Sequence, residues 1–191
     1  MNHPVLSFYR KNFNPDLTPE QEDEILSVFR KEEYKKKERI FNQGDANTRH
    51  YIIEKGLVRL YLVDYNGKEF NIIFAKENQI IGDLSTPSPT NYFLECIEPS
   101  IVWSMDDRDM KRLMESFEGS PLLNPTGYIQ RSYVFIQKRL VSLLSKTADE
   151  NYREFRDKNP DLMQRLPQYH IASYLGISAE FLSKIIARSY S

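Results

Sequence analysis

A single cysteine, Cys96, is all the thiol in this chain of 191 residues. It rules out an intramolecular disulfide and cannot supply a four-thiolate iron–sulfur cluster. Its place in an apolar, strand-like run points to a buried structural thiol. Long hydrophobic runs are also missing: no stretch approaches the roughly 18 apolar residues needed to cross a bilayer. Charges and Pro4 occupy the N-terminus, where a signal peptide needs an apolar core, so a cytoplasmic protein with no membrane partner is expected. Histidines are few and scattered. His3, His50 and His170 fall in different elements, so the clustered ligands of a metal-dependent β-barrel enzyme of the cupin type are lacking. His50 and Cys96 stay open as haem ligands, although an exposed or partly packed histidine is the commoner outcome. There is no glycine-rich phosphate loop and no nucleophile elbow. A non-enzyme is expected, with no catalytic residues and no metal site.

Hydrophobic content of 40% and charged content of 28% describe a globular chain with room for one ordinary domain and a smaller one. The net charge of −1 is unevenly spread: residues 1–120 carry −5 and residues 121–191 carry +4. The C-terminal part thus has a weak form of the bias that phosphate backbones attract.

The order of elements follows from local signals. Thr18-Pro19 opens a helix to about Phe29, with Thr18 as cap and Pro19 at the first helical position. From Tyr34 to Trp103 the pattern is that of short strands broken by turn residues, with Asn66-Gly67 as a hairpin signal. A closed or folded-over antiparallel β unit is expected. After Asp106 the pattern turns helical. One helix runs to about Phe117, Gly119-Ser120-Pro121 breaks it, and a long helix spans about Pro125 to Lys146. In that helix Ile129, Tyr133, Ile136, Leu140 and Leu143 step by four, three, four and three residues, the seam of a coiled coil. A homodimer interface is expected there, with Val134, Val141 and Leu144 packing on the β unit and Arg131, Lys138 and Arg139 solvating the flanks. Asp149 to Asp161 forms a charged helix and connector.

The last residues read as two helices around a tight turn. Ile171, Leu175, Ile177, Leu182 and Ile185 hold the pair together, Gly176 supplies the left-handed turn residue, and Ser178 caps the second helix. Ala179, Glu180, Ser183 and Lys184 then face outward, a short, polar and cationic surface suited to the DNA major groove.

This order resembles the Crp/Fnr family of bacterial transcription regulators over nearly the whole chain. The marks are Gly44-Asp45, the run Tyr51 to Arg59, Gly67-Lys68-Glu69, Gly82-Asp83-Leu84 and the run Leu166 to Ser178. The resemblance implies an α+β fold: an N-terminal antiparallel, jelly-roll-like β-roll with flanking helices, a long dimerisation helix and a small C-terminal helix-turn-helix. The corresponding boundaries are 1–120, 121–147 and 148–191. It implies a homodimeric, sequence-specific regulator whose partners are double-stranded DNA, RNA polymerase and a small-molecule effector. A β-roll sensor without productive DNA binding is the alternative.

At the effector pocket the sequence departs from the family. Cyclic-AMP binders follow Gly-Glu-Leu with an Arg-Ser or Arg-Thr pair. Here Gly82, Asp83, Leu84, Ser85, Thr90 and Asn91 are the pocket candidates, and no arginine lies between Ser85 and Phe93. A buried cyclic phosphate without a cation is costly, which disfavours cyclic AMP and leaves the cofactor unknown. The recognition helix also departs. The resemblance aligns Ser178-Ala179-Glu180 with Ser-Arg-Glu, so Glu180 is the candidate for cytosine, Lys184 for guanine or phosphate, and the preferred site should differ from the familiar one. Gln168, Tyr169 and Ser173, with Arg165 and Arg188, are the phosphate-positioning candidates. Many members add a two-stranded wing, and Ala187 to Ser191 are too few to form one.

Overall fold

The structure, a computed structural model, describes residues 3–46, 49–83, 89–116 and 125–189. Two helices open it, α1 (Pro4–Asn12) and α2 (Pro19–Ser27). Thr18 and Gln21 form a reciprocal capping box on α2, and Pro19 sits where its missing N–H costs nothing. The first helix was not anticipated from the sequence. It is short, and its apolar Val5, Leu6, Phe8 and Tyr9 are all buried.

Among the described residues eight strands follow: β1 (Arg30–Tyr34), β2 (Arg39–Phe41), β3 (Arg49–Lys55), β4 (Val58–Val63), β5 (Glu69–Ala75), β6 (Ile80–Ile81), β7 (Phe93–Cys96) and β8 (Ser100–Asp106). They form two antiparallel four-stranded sheets, in the orders β1-β8-β3-β6 and β2-β7-β4-β5. Alternation along β3 divides the core. Tyr51 and Ile53 point between the sheets with Phe41, Val58, Leu94, Cys96 and Val102, while Ile52 points outward to Val5, Phe8, Ile25 and Leu113 of the covering helices. The hairpin at Asn66-Gly67 has a three-residue loop. Asp64 closes it, its carboxylate accepting from the N–H groups of Asn66 and Lys68.

Helix α3 (Asp107–Ser116) covers the roll, and α4 (Pro125–Ser145) is the long helix. The expected break at Gly119-Ser120-Pro121 lies outside the described residues. Among the described residues four shorter helices follow: α5 (Ala148–Lys158), α6 (Pro160–Arg165), α7 (Gln168–Tyr174) and α8 (Ala179–Ser189). Among the described residues no helix is long and apolar enough to cross a membrane.

Helix α4 is the most exposed apolar element. Ile129, Tyr133, Ile136, Leu140 and Leu143 are 42–66% exposed. Two expectations about this helix need correction. Val134, Val141 and Leu144 do not pack on the roll: they too are exposed, Leu144 at 79%. Arg139 does not solvate a flank. It is the side chain by which α4 is held, donating to the carbonyls of Asn71 and Ile72 on β5 and of Tyr174 on α7. Its guanidinium lies 3.7 Å from the centre of the Tyr174 ring. An arginine stem long enough to cross between elements does here what apolar side chains were expected to do.

Candidate functional site

The C-terminal helices are built by strong local signals. Thr147 and Glu150 form a capping box on α5, and Asn159-Pro160 separates it from α6. Leu175 closes α7, and Gly176 takes φ +72°, the left-handed conformation the turn requires. Ser178 accepts from the N–H of Phe181 at 3.1 Å. Ile171, Ala172, Leu175, Leu182 and Ile185 are buried in one cluster with Tyr152, Phe155, Leu162 and Leu166, and Ile177 packs at its edge.

That arrangement leaves Ser178, Ala179, Glu180, Ser183, Lys184 and Arg188 exposed on the outside of α8 and its cap. The N–H groups at the start of α8 and the Ser178 hydroxyl hold the Glu180 carboxyl below its ordinary pKa. Phe181, 43% exposed, interrupts this polar surface. Arg188 reaches Asp149 at 3.3 Å. Gln168 and Tyr169 are also exposed, at the start of α7.

The other face of α7 is attached to the roll. The Ser173 hydroxyl donates to the Glu69 carbonyl and accepts from the Asn71 N–H at 3.0 Å, so its hydrogen bonds run to β5. Arg165, expected at a phosphate, is held instead by the carboxylates of Glu77 and Glu98. Those charge-assisted bonds push its pKa further up. Lys76 pairs with Asp161 across the same boundary. Leu57 and Ile97 of the roll join the apolar cluster of the helices.

At the centre of this attachment is Arg59 on β4, 4% exposed. Cross-strand Glu95 and nearby Glu69 neutralise it. Its guanidinium also donates to Asn71 Oδ1 at 3.2 Å and meets His170 Nδ1 at 3.3 Å. The Asn71 amide nitrogen lies 3.3 Å from the same ring nitrogen. Two donors converging on Nδ1 require it to be an acceptor, so His170 is neutral with its proton on Nε2. Burial, reinforced by Arg59 and opposed by Glu69, brings the imidazole down to about 4. His170 is buried, against the expectation of an exposed or partly packed histidine. A cavity of about 240 Å³ adjoins this cluster, with Lys36 and Lys37 on its wall.

Sequence reasoning missed the roles of Arg59, Asn71, His170 and Arg139. The available signal was Arg59 itself, a cation amid the apolar run from Leu57 to Leu62. Its partner on the C-terminal helices, His170, lies more than a hundred residues away along the chain.

The effector candidates gather at one corner of the roll. Asp83 is buried and accepts a hydrogen bond from the Thr90 hydroxyl. The Thr90 backbone bonds Asp45 and Gly44, tying the corner to the loop after β2. A Cβ on Gly82 would stand 2.9 Å from the Arg49 carbonyl, so the glycine permits a close backbone approach. Asn91 is exposed, and Leu84 and Ser85 lie outside the described residues. Cys96 is fully buried, and desolvation raises its thiol to about 11. His3 stacks edge-on against Trp103, and His50 pairs with Asp107 at 2.8 Å. Among the described residues no three His, Cys, Asp or Glu side chains come together as a metal site.

Comparison with known proteins agrees with this architecture. Residues 31–117 match the family model of the cyclic nucleotide-binding domain. The structure of FixK2 from Bradyrhizobium japonicum superposes with a TM-score of 0.73 at 18% identity, covering 85% of each chain. The chain has the Crp/Fnr fold. The regulator CLP of Xanthomonas campestris, described as responsive to c-di-GMP, has a TM-score of 0.72 at 13% identity, with 91% of this chain and 92% of that one covered. A regulator assigned to the crp/fnr family from Eubacterium rectale gives 0.68 at 16% identity, over 91% and 84%. Among curated sequences the chain has no match. Within the Crp/Fnr fold, the roll, the long helix and the C-terminal helices fall in the order read from the sequence.

Proposed function

We propose that the chain is a Crp/Fnr-type transcription regulator, not an enzyme. It binds DNA as a homodimer through the helix-turn-helix formed by α7 and α8. The observation that carries this reading is the two-sidedness of α8. Leu182 and Ile185 are sealed in the core, whereas Ala179, Glu180, Ser183 and Lys184 stand in solvent on a helix whose start is fixed by Ser178. The exposed apolar face of α4 supports the dimer, since a stripe of this extent is rare on a monomer's surface. On DNA, Glu180 accepts from a base-edge amine and Lys184 donates to a purine edge or a phosphate, with Gln168 and Tyr169 placed to meet the backbone. RNA polymerase is the further macromolecular partner of a regulator that activates.

Titration of labelled duplex at fixed salt tests the assignment. Glu180→Ala and Lys184→Ala should each lower the preference for the selected sequence over random duplex by about 1–3 kcal/mol. Unchanged selectivity in both variants would refute the assignment of α8.

One observation favours a second reading, a roll-based sensor without productive DNA binding. Residues 148–191 carry no net charge: Arg153, Arg156, Lys158, Arg165, Lys184 and Arg188 are matched by Asp149, Glu150, Glu154, Asp157, Asp161 and Glu180. The +4 of the C-terminal part comes from Arg131, Lys138, Arg139 and Lys146. That reading requires a dimer with no selectivity over random duplex.

A further inference from the structure

A second cavity, of about 200 Å³, lies where α4, α5 and the end of α7 meet. It is distinct from the effector corner at Gly82 and Asp83, and from the cavity beside Arg59. Its walls are mainly apolar, with Phe135 and Leu143 from α4, Phe155 from α5, and Tyr174 and Leu175 from α7. Arg139 and Lys138 bring positive charge to this wall.

Arg139 makes the cavity more than a packing defect. Among the described residues no carboxylate pairs with this guanidinium; its partners are three backbone carbonyls and the face of the Tyr174 ring, and its buried Nε–H has no acceptor. Burial opposes its charge and lowers its pKa. Glu154, the acid on the cavity wall, is already engaged by Lys146, Lys158 and Ser142. Arg139 is half-buried, and a partly desolvated cation without a counter-ion is costly, so an anion beside it would recover part of that cost.

We propose that this cavity binds a small apolar monoanion, a carboxylate with an aryl or short hydrocarbon body. The body lies against Phe135, Phe155 and Leu175, and the carboxylate approaches Arg139 and Lys138. The volume falls below the roughly 300–1,000 Å³ of sites for drug-sized ligands, which limits the body to one ring or a short chain. The carbonyls that Arg139 holds belong to β5 and α7, so a ligand that draws on this guanidinium acts on the joint between roll, long helix and recognition pair. The inference deepens the regulatory reading by naming a site and ligand class for its effector. Its test involves no DNA, so failure of the site and failure of DNA binding are separable.

Isothermal titration of the full chain with 3-phenylpropanoate at pH 7.5, against the neutral 3-phenylpropan-1-ol, decides it. The expected result is saturable binding of one carboxylate per chain, with the alcohol at least about tenfold weaker, equivalent to ~1.4 kcal/mol. Arg139→Gln should abolish saturation. Because that change also loosens the joint, Lys138→Glu, on the exposed rim, provides the independent check and should weaken binding at least about fivefold, or ~1 kcal/mol. No saturable uptake, equal binding of the alcohol, or unchanged affinity in Lys138→Glu would overturn the proposal.

Discussion

The surroundings of His170 set its protonation state. Arg59 on β4, Asn71 and Glu69 on β5 and Glu95 on β7 surround it, with Lys36 and Lys37 at the neighbouring cavity. The ring is neutral when α7 is attached to the roll, and its pKa of about 4 lies below the ordinary 6.5. A detached or unfolded α7 therefore binds a proton below about pH 6.5, and the attached form does not until about pH 4. Stability is full above pH 6.5, declines as pH falls between those values, and levels off below the lower one. At pH 5 the loss from this group should be about 2 kcal/mol. Urea unfolding at pH 7 and pH 5 checks it: His170→Gln should remove this part of the pH dependence, and an unaltered slope would assign the dependence to other groups.

At the level of elements, α4 carries the heaviest expectation. Its apolar residues cannot be satisfied by the roll, because the side that meets the rest of the chain is occupied by Arg139 and Ser142. Leu140→Glu, at a residue 55% exposed, should leave folding intact and convert a dimer to a monomer at micromolar concentration in sedimentation equilibrium. A monomeric parent chain, or a dimer untouched by this change, would contradict the coiled-coil seam. The legibility of the elements follows from how local their causes are. Capping at Thr18, the turn at Gly176 and the extent of α4 are written in residues a few positions apart, and each could be read. Helix α1 and the two-residue β6 were not, because nine residues without a polar cap, or two isoleucines, carry too little periodicity. The packing of α4 was misjudged because a helix apolar on several sides does not state which side meets its own chain.

For the whole molecule, the decisive feature is that the helices after the β-roll are attached to it along three lines of contact, each carried by an arginine. These are Arg59 and Asn71 to His170 and Ser173, Arg165 to Glu77 and Glu98, and Arg139 to β5 and α7. None was visible in the sequence, since each joins positions at least 35 residues apart through polar side chains that also suit a solvated surface or a phosphate. The same contacts withdraw Arg165 and Ser173 from the DNA-contact set. The helices beyond α4 are neutral overall, and Arg188 is partly engaged by Asp149. On the proposed reading, specific contact comes from few side chains doubled by dimerisation, and the salt dependence of binding should be shallow.

Selection from a random duplex pool with the 191-residue chain at physiological salt is the most direct test. The account predicts enrichment of a near-palindromic site whose half-sites are about 34 Å, one helical turn, apart, as two α8 helices in successive major grooves require. A pool that emerges without enrichment, or a single unpaired half-site bound as tightly as two, would contradict it.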